Sequence, residues 1–100
     1  MYKRQALEIE RAAYPAGHPG IALGLRNLAG LLMQKNEFAE AEPLMREALE
    51  IYRAALPAGH PDIASVLEGL VRLYEANGNA SEAAARRSEL DAARAEGGKR

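Results

Sequence analysis

The chain has 100 residues, of which 48% are apolar, 27% charged and only 5% aromatic; it has neither Trp nor Cys, and thirteen basic side chains nearly cancel fourteen acidic ones. Such a chain can build one small domain packed mainly by alanine and leucine, which favours closely approaching helices over a sheet. Disulfides, thiolate metal sites and cysteine nucleophiles are excluded, no net field draws in nucleic acid or an anionic membrane, and no apolar run approaches the roughly 20 residues of a membrane span.

In chain order, Met1-Tyr2-Lys3-Arg4-Gln5 is what GTG TAT AAG AGA CAG encodes with GTG as start codon, a string that matches the end of a transposon adaptor. Residues 1–5 are therefore expected to be a non-native scar on a truncated reading frame. Residues 6–14 carry the pattern of the end of a helix, and from there the chain repeats itself. Ala6-Leu7-Glu8-Ile9 recurs as Ala48-Leu49-Glu50-Ile51, Pro15-Ala16-Gly17-His18-Pro19 as Pro57-Ala58-Gly59-His60-Pro61, and Leu25, Leu28 and Leu31 as Leu67, Leu70 and Leu73, always 42 positions apart. A fixed period of this size marks stacked supersecondary units.

Within the unit, Ile21, Ala22, Leu25, Leu28, Ala29 and Leu32 fall on one stripe of a helix from Pro19 to about Lys35. Pro19 and its copy Pro61 suit the first helical turn, and Asp62 places a negative charge at the positive end of the dipole. Asn36-Glu37 and Asn77-Gly78-Asn79 supply turns. A second helix is predicted from about Glu37, with Phe38, Ala41, Met45, Ala48, Ile51 and Tyr52 on one side and a slight bend at Pro43. Its copy starts near Asn79, with Glu82 completing a variant of the capping box. The last helix is short of large apolar groups, as a solvated cap would be, and residues 96–100 read as a polar tail. The expected division is thus 6–14 as the end of a preceding unit, 15–56 as repeat 1 and 57–95 as repeat 2 with a capping helix. Neither hairpin can bury its stripe alone, so the two must stack; with fewer than three full units, marginal stability is expected.

His18-Pro19, Ile21-Ala22, Leu25, Asn27-Leu28-Ala29, Leu32, Phe38, Glu40-Ala41-Glu42-Pro43-Leu44 and Ala48-Leu49-Glu50-Ile51 resemble the 42-residue tetratricopeptide repeat of kinesin light chains, a unit also common in bacteria. The likeness spans Ala6 to Leu90, and the Ala- and Arg-rich composition is similar to that of high-GC bacterial genomes. It implies an all-α fold of antiparallel helix hairpins stacked as a right-handed α-α superhelix, a tetratricopeptide-like solenoid. It also implies a non-enzymatic protein-interaction scaffold that grips an extended peptide on the concave face of the first helices, with asparagines meeting the peptide backbone. Asn27 stands at such a position; Arg26 replaces a second asparagine, and the copy of Asn27 is Gly69, so a complete asparagine ladder is absent.

Spacing points to the same face. Opposite the buried stripes lie Leu23, Arg26, Asn27, Gly30, Met33 and Gln34, then Ser65, Glu68, Gly69, Arg72 and Glu75. Arg26, Asn27, Met33, Glu68, Arg72 and Glu75 are the candidate peptide-binding residues, the two arginines offering forked donors to carboxylates. The partner is expected to be a protein or peptide, with no cofactor, metal, nucleic acid or membrane. The chain itself is expected to be a cytoplasmic monomer, or to associate weakly through an N-terminal edge that includes Leu7 and Ile9. A regulatory or sensor segment of a larger bacterial signalling or transcription-regulating protein is the alternative. His18 and His60 read as loop or capping residues, since a metal needs at least three converging ligands. Ser65, Ser81 and Ser88 have no histidine at a recognisable interval. Gly17-His18-Pro19-Gly20 lacks the features of a phosphate loop. Glu37, Glu40, Glu42 and Glu47 read as solvated charges.

Overall fold

The computed structural model describes residues 18–98, which form four α-helices and no strand among the described residues. These are α1 (Pro19–Gln34), α2 (Phe38–Ala55), α3 (Pro61–Ala76) and α4 (Ala80–Gly98). The expectations for residues 1–5 and 6–14, and for Leu7 and Ile9 as an edge, lie outside the described residues.

Each first helix starts with the same device. His18 and His60 take the N-cap position, and their imidazole Nδ1 atoms accept from the backbone N–H of Gly20 at 2.9 Å and of Asp62 at 3.1 Å. A proline then occupies the first helical position of each, where its missing N–H costs nothing. The histidines are thus helix caps. His60→Ala is expected to cost about 1 kcal/mol in urea unfolding, and His60→Ser, which restores an acceptor, to recover most of it.

Each first helix also ends the same way. Beyond α1, the Asn36 N–H donates to the Met33 carbonyl at 3.0 Å and that of Glu37 to Leu32 at 2.8 Å. Beyond α3, Gly78 donates to Glu75 at 3.2 Å and Asn79 to Tyr74 at 2.8 Å. Asn36 and Gly78 both sit at positive φ, 61° and 78°, completing the paired bonds of a Schellman ending. The chain reverses at once, and the second helix of each pair folds back on the first. Asn79 caps α4 by accepting from the Glu82 N–H at 3.2 Å. Glu82 itself pairs with Arg86 at 3.5 Å, so one half of the expected capping box is made. Pro43 is carried within an uninterrupted α2.

The two hairpins, α1–α2 and α3–α4, pack internally and then against each other through α2 and α3, with α1 also touching α3. The Cα envelope measures 39 × 32 × 15 Å, thin in one direction, so the helices lie side by side as a layer. One core runs through all four. It takes Ile21, Ala22, Leu25, Leu28, Ala29 and Leu32 from α1, Ala41, Met45, Ala48, Leu49 and Tyr52 from α2, and Leu67, Leu70 and Tyr74 among others from α3. The α1 stripe is the predicted one in full. In α2, Leu49 joins it, while Phe38 and Ile51 are only partly buried.

The fourth helix departs from its copy. It sends Ala83 and Leu90 into the core. Where α2 carries Met45 and Leu49, buried in the core, α4 carries Arg87 and Asp91, both exposed. Its outward face is solvated. The helix also continues to Gly98, past the expected boundary at 95, because Gly97 packs on the loop between the hairpins. In that loop the His60 N–H donates to the Pro57 carbonyl at 3.1 Å, and Gly59 takes φ 87°. The expected polar tail thus begins as a docked helical turn.

Candidate functional site

Because α1 and α3 are equivalent helices of neighbouring hairpins, the faces they turn away from their own partners form one groove. Its volume is about 730 Å³, and Met45 of α2 lies between them in its lining. Five of the six candidate residues line it: Arg26, Asn27 and Met33 from α1, and Glu68 and Arg72 from α3. Glu75 does not. It borders an adjoining cleft of about 260 Å³ beside α4, where it is ion-paired with Arg87. Leu23 is exposed and lies outside the groove lining.

Two apolar members were not legible in the sequence. Leu31 lines the groove with 53% of its surface exposed, although its copy Leu73 is fully buried. The reason is positional: α3 packs on α2, whereas no described helix precedes α1. Met45 was assigned to the core and does lie there, but its terminal methyl reaches the groove beneath Gly69. A Cβ on Gly69 would collide with that methyl, so the glycine makes room for the methionine.

The charges are arranged asymmetrically. Glu68 is shared by Arg72 at 3.4 Å and Arg94 at 2.8 Å. Arg26 instead donates to the Ser65 hydroxyl across the two hairpins. Two arginines and one glutamate line the groove, giving it a net charge of +1. At the other side of α3, the Tyr74 hydroxyl donates to Glu42 Oε2 at 2.6 Å and accepts from Arg46 Nε at 3.0 Å and Nη2 at 2.8 Å. Glu42 is therefore a seam residue and not the solvated charge its helical position suggested. Burial first, and then the bond to Glu42, raise the Tyr74 phenol above its ordinary value, while burial also raises that of Tyr52. The hydrogen bond to Tyr74 raises the Arg46 guanidinium in turn. On α4, Arg86 Nε and Glu89 Oε2 are both out of solvent and lie 2.5 Å apart, each the counter-charge of the other, and Arg53 of α2 joins Glu89 at 3.0 Å.

Among the described residues no three His, Cys, Asp or Glu side chains converge on a metal position. No described helix is long and apolar enough to cross a membrane. What the groove offers is a forked cation, an amide side chain at Asn27 and an apolar strip of Leu31, Met33 and Met45. It is suited to holding an extended polar chain with some apolar side groups.

An all-α array of helix hairpins with a groove on its first helices defines a repeat-type interaction fold. The tetratricopeptide repeat family matches residues 22–62. A crystal structure from Podosopora anserina, described as a kinesin light chain with nearly identical TPR-like repeats, superposes with a TM-score of 0.83 at 25% identity over 93% of this chain. A single-substitution variant of that protein does so with the same TM-score at 26% identity. The chain spans 44% of the length of each of these structures. No curated protein sequence matches it. Residues 22–62 thus match a tetratricopeptide repeat, and the chain is similar in structure to a repeat array of the kinesin-light-chain kind.

Proposed function

We propose that the groove between α1 and α3 binds an extended segment of a partner protein, making the chain a scaffold element. The family supports the coarse reading, since tetratricopeptide repeats mediate contacts between proteins. The observation that carries the finer one is the convergence of Arg26, Asn27, Met33, Glu68 and Arg72 from two separate repeats on a single groove. Sequence distance alone would not require it; stacking of equivalent helices does. Concave faces built in this way recur in repeat proteins as binding surfaces.

The test uses peptides selected from a displayed random library against the intact chain. Affinities near micromolar are expected, about −8 kcal/mol. Reversing both Arg26 and Arg72 to glutamate changes the groove from +1 to −3, counting its three charged residues. That double variant is expected to lose the selected peptides while keeping its helical circular dichroism, because both side chains are at least partly exposed. Selected peptides that bound the double variant undiminished would place the contact elsewhere on the molecule.

A further inference from the structure

A smaller pocket lies away from the groove, where α4 finishes against the loop between the hairpins. Ala58 and Gly59 of the loop, Ile63 and Leu67 of α3 and Ala93 of α4 border about 220 Å³. That is below the roughly 300 Å³ at which pockets for drug-sized molecules begin, and it suits a single side chain. Its origin is a difference between the repeats. Forty-two positions before Ala93 stands Ile51, which packs partly buried against the core. The second repeat keeps Ile63 and Leu67, the copies of Ile21 and Leu25, but carries only a methyl group at the Ile51 position. The pocket opens where the first repeat has a larger apolar side chain.

The rim of the pocket is charged, and its charge is peculiar to the second repeat. In its last turn α2 places Arg53, where a cation suits the negative end of the helix dipole. The last turn of α4 has no basic residue and carries Glu96, at the position of Ala54. A carboxylate there meets like charge from the dipole. Arg53 also lines the pocket, but Glu89 already holds it at 3.0 Å. One arginine and two glutamates line the pocket, giving it a net charge of −1. Glu96 has an interaction of its own, and a carboxylate has acceptor sites for more than one donor.

We infer that this pocket takes a lysine side chain presented by a partner protein. The aliphatic stem enters the space beside Ala93, between Ile63 and Leu67. The ammonium stands at Glu96 and the end of α4, where it offsets both negative charges. The pocket shares no residue with the groove, so this site holds or fails independently of the groove reading.

The probes are a capped peptide, Ala-Ser-Lys-Ser-Ala, and its twin with norleucine in place of lysine, titrated against the intact chain. Binding is read from the methyl signals of Ile63, Leu67 and Ala93, with Met33 of the groove as the reference that stays still. The lysine peptide is expected to bind in the millimolar range, about fivefold tighter than its twin, the upper end for an exposed ion pair. Ala93→Ile, which restores the side chain of the first repeat, is expected to abolish both responses and to raise the melting temperature. Glu96→Gln is expected to erase the preference for lysine while the twin still binds. Lys99→Ala is expected to leave both affinities unchanged; tighter binding in that variant would make the chain's own lysine the occupant and overturn the proposal. A lysine preference that survived Glu96→Gln, or shifts at Ile63 and Leu67 that persisted in Ala93→Ile, would overturn it as well. So would the absence of any shift at about ten millimolar peptide. Glu96 is exposed, so Glu96→Gln decides the matter even if Ala93→Ile disturbs the fold.

Discussion

Tyr74→Ala is expected to remove about 3–5 kcal/mol, the range for truncating a buried large aromatic, and so most of the stability of a small domain. Tyr74 is 1% exposed and is among the largest fully buried side chains of the core. It stands at the seam between α2 and α3, the surface on which one hairpin depends on the other. Its ring fills that seam, and its hydroxyl ties α3 to Glu42 and Arg46 on α2. The two contributions separate by substitution. Tyr74→Phe keeps the ring and is expected to cost only about 1 kcal/mol, because Glu42 and Arg46 retain each other at 3.3 Å and reach water. Urea unfolding followed by far-UV circular dichroism measures both.

The same residue sets the response to alkali. The fold raises the Tyr74 and Tyr52 phenols above the ordinary tyrosine value of about 10, so it holds them neutral where the unfolded chain would ionise. A raised acid contributes stability that is complete below the unfolded value and is lost as pH rises through the folded one. Stability is therefore expected to fall above about pH 10, and the Tyr74→Phe variant to fall less steeply there.

Gly59→Val is expected to cost about 3 kcal/mol, combining backbone strain with a backbone clash. Gly59 holds φ 87°, where side chains with a Cβ are strained, and a Cβ there would sit 2.6 Å from the Gly97 nitrogen and 2.8 Å from the Glu96 Cβ. Neither neighbour is a flexible tip that can swing away. Gly78 provides the control: its φ is 78°, but a Cβ would meet nothing within 4 Å. Gly78→Ala should therefore show strain alone, about 1 kcal/mol. The excess at Gly59 reports the docking of the last turn of α4 on the loop between hairpins. It should appear as earlier loss of protection at the end of α4 in hydrogen exchange.

The fold was legible in the sequence because two periods coincide. The helical stripe of Ile21 to Leu32 announces one buried face, and the 42-residue recurrence shows that the face repeats. Turns were legible as well, since Asn36 and Gly78 are the residue types that accept positive φ after a helix. What failed depended on neighbours that a linear pattern does not contain. Glu42 looks like any exposed helical glutamate until Tyr74 of the next hairpin is placed beside it. Leu31 copies a core residue and is exposed, because the helix that packs on α3 has no counterpart before α1 among the described residues. Gly97 reads as part of a polar tail until the Gly59 loop is brought against it. At the site, five of the six residues picked out by spacing line one groove, while Glu75, one turn beyond Arg72, turns to Arg87 on α4.

Residue-resolved hydrogen exchange under native conditions tests most directly whether the hairpins stand by leaning on each other. Interior amides of α1, α2 and α3, such as those of Leu25, Ala48 and Leu67, should open together with one free energy, and Tyr74→Ala should lower all three alike. If the α1–α2 pair exchanged while α3–α4 stayed fully protected, or if Tyr74→Ala loosened one pair alone, the hairpins would be independent. The groove between them would then be a chance juxtaposition.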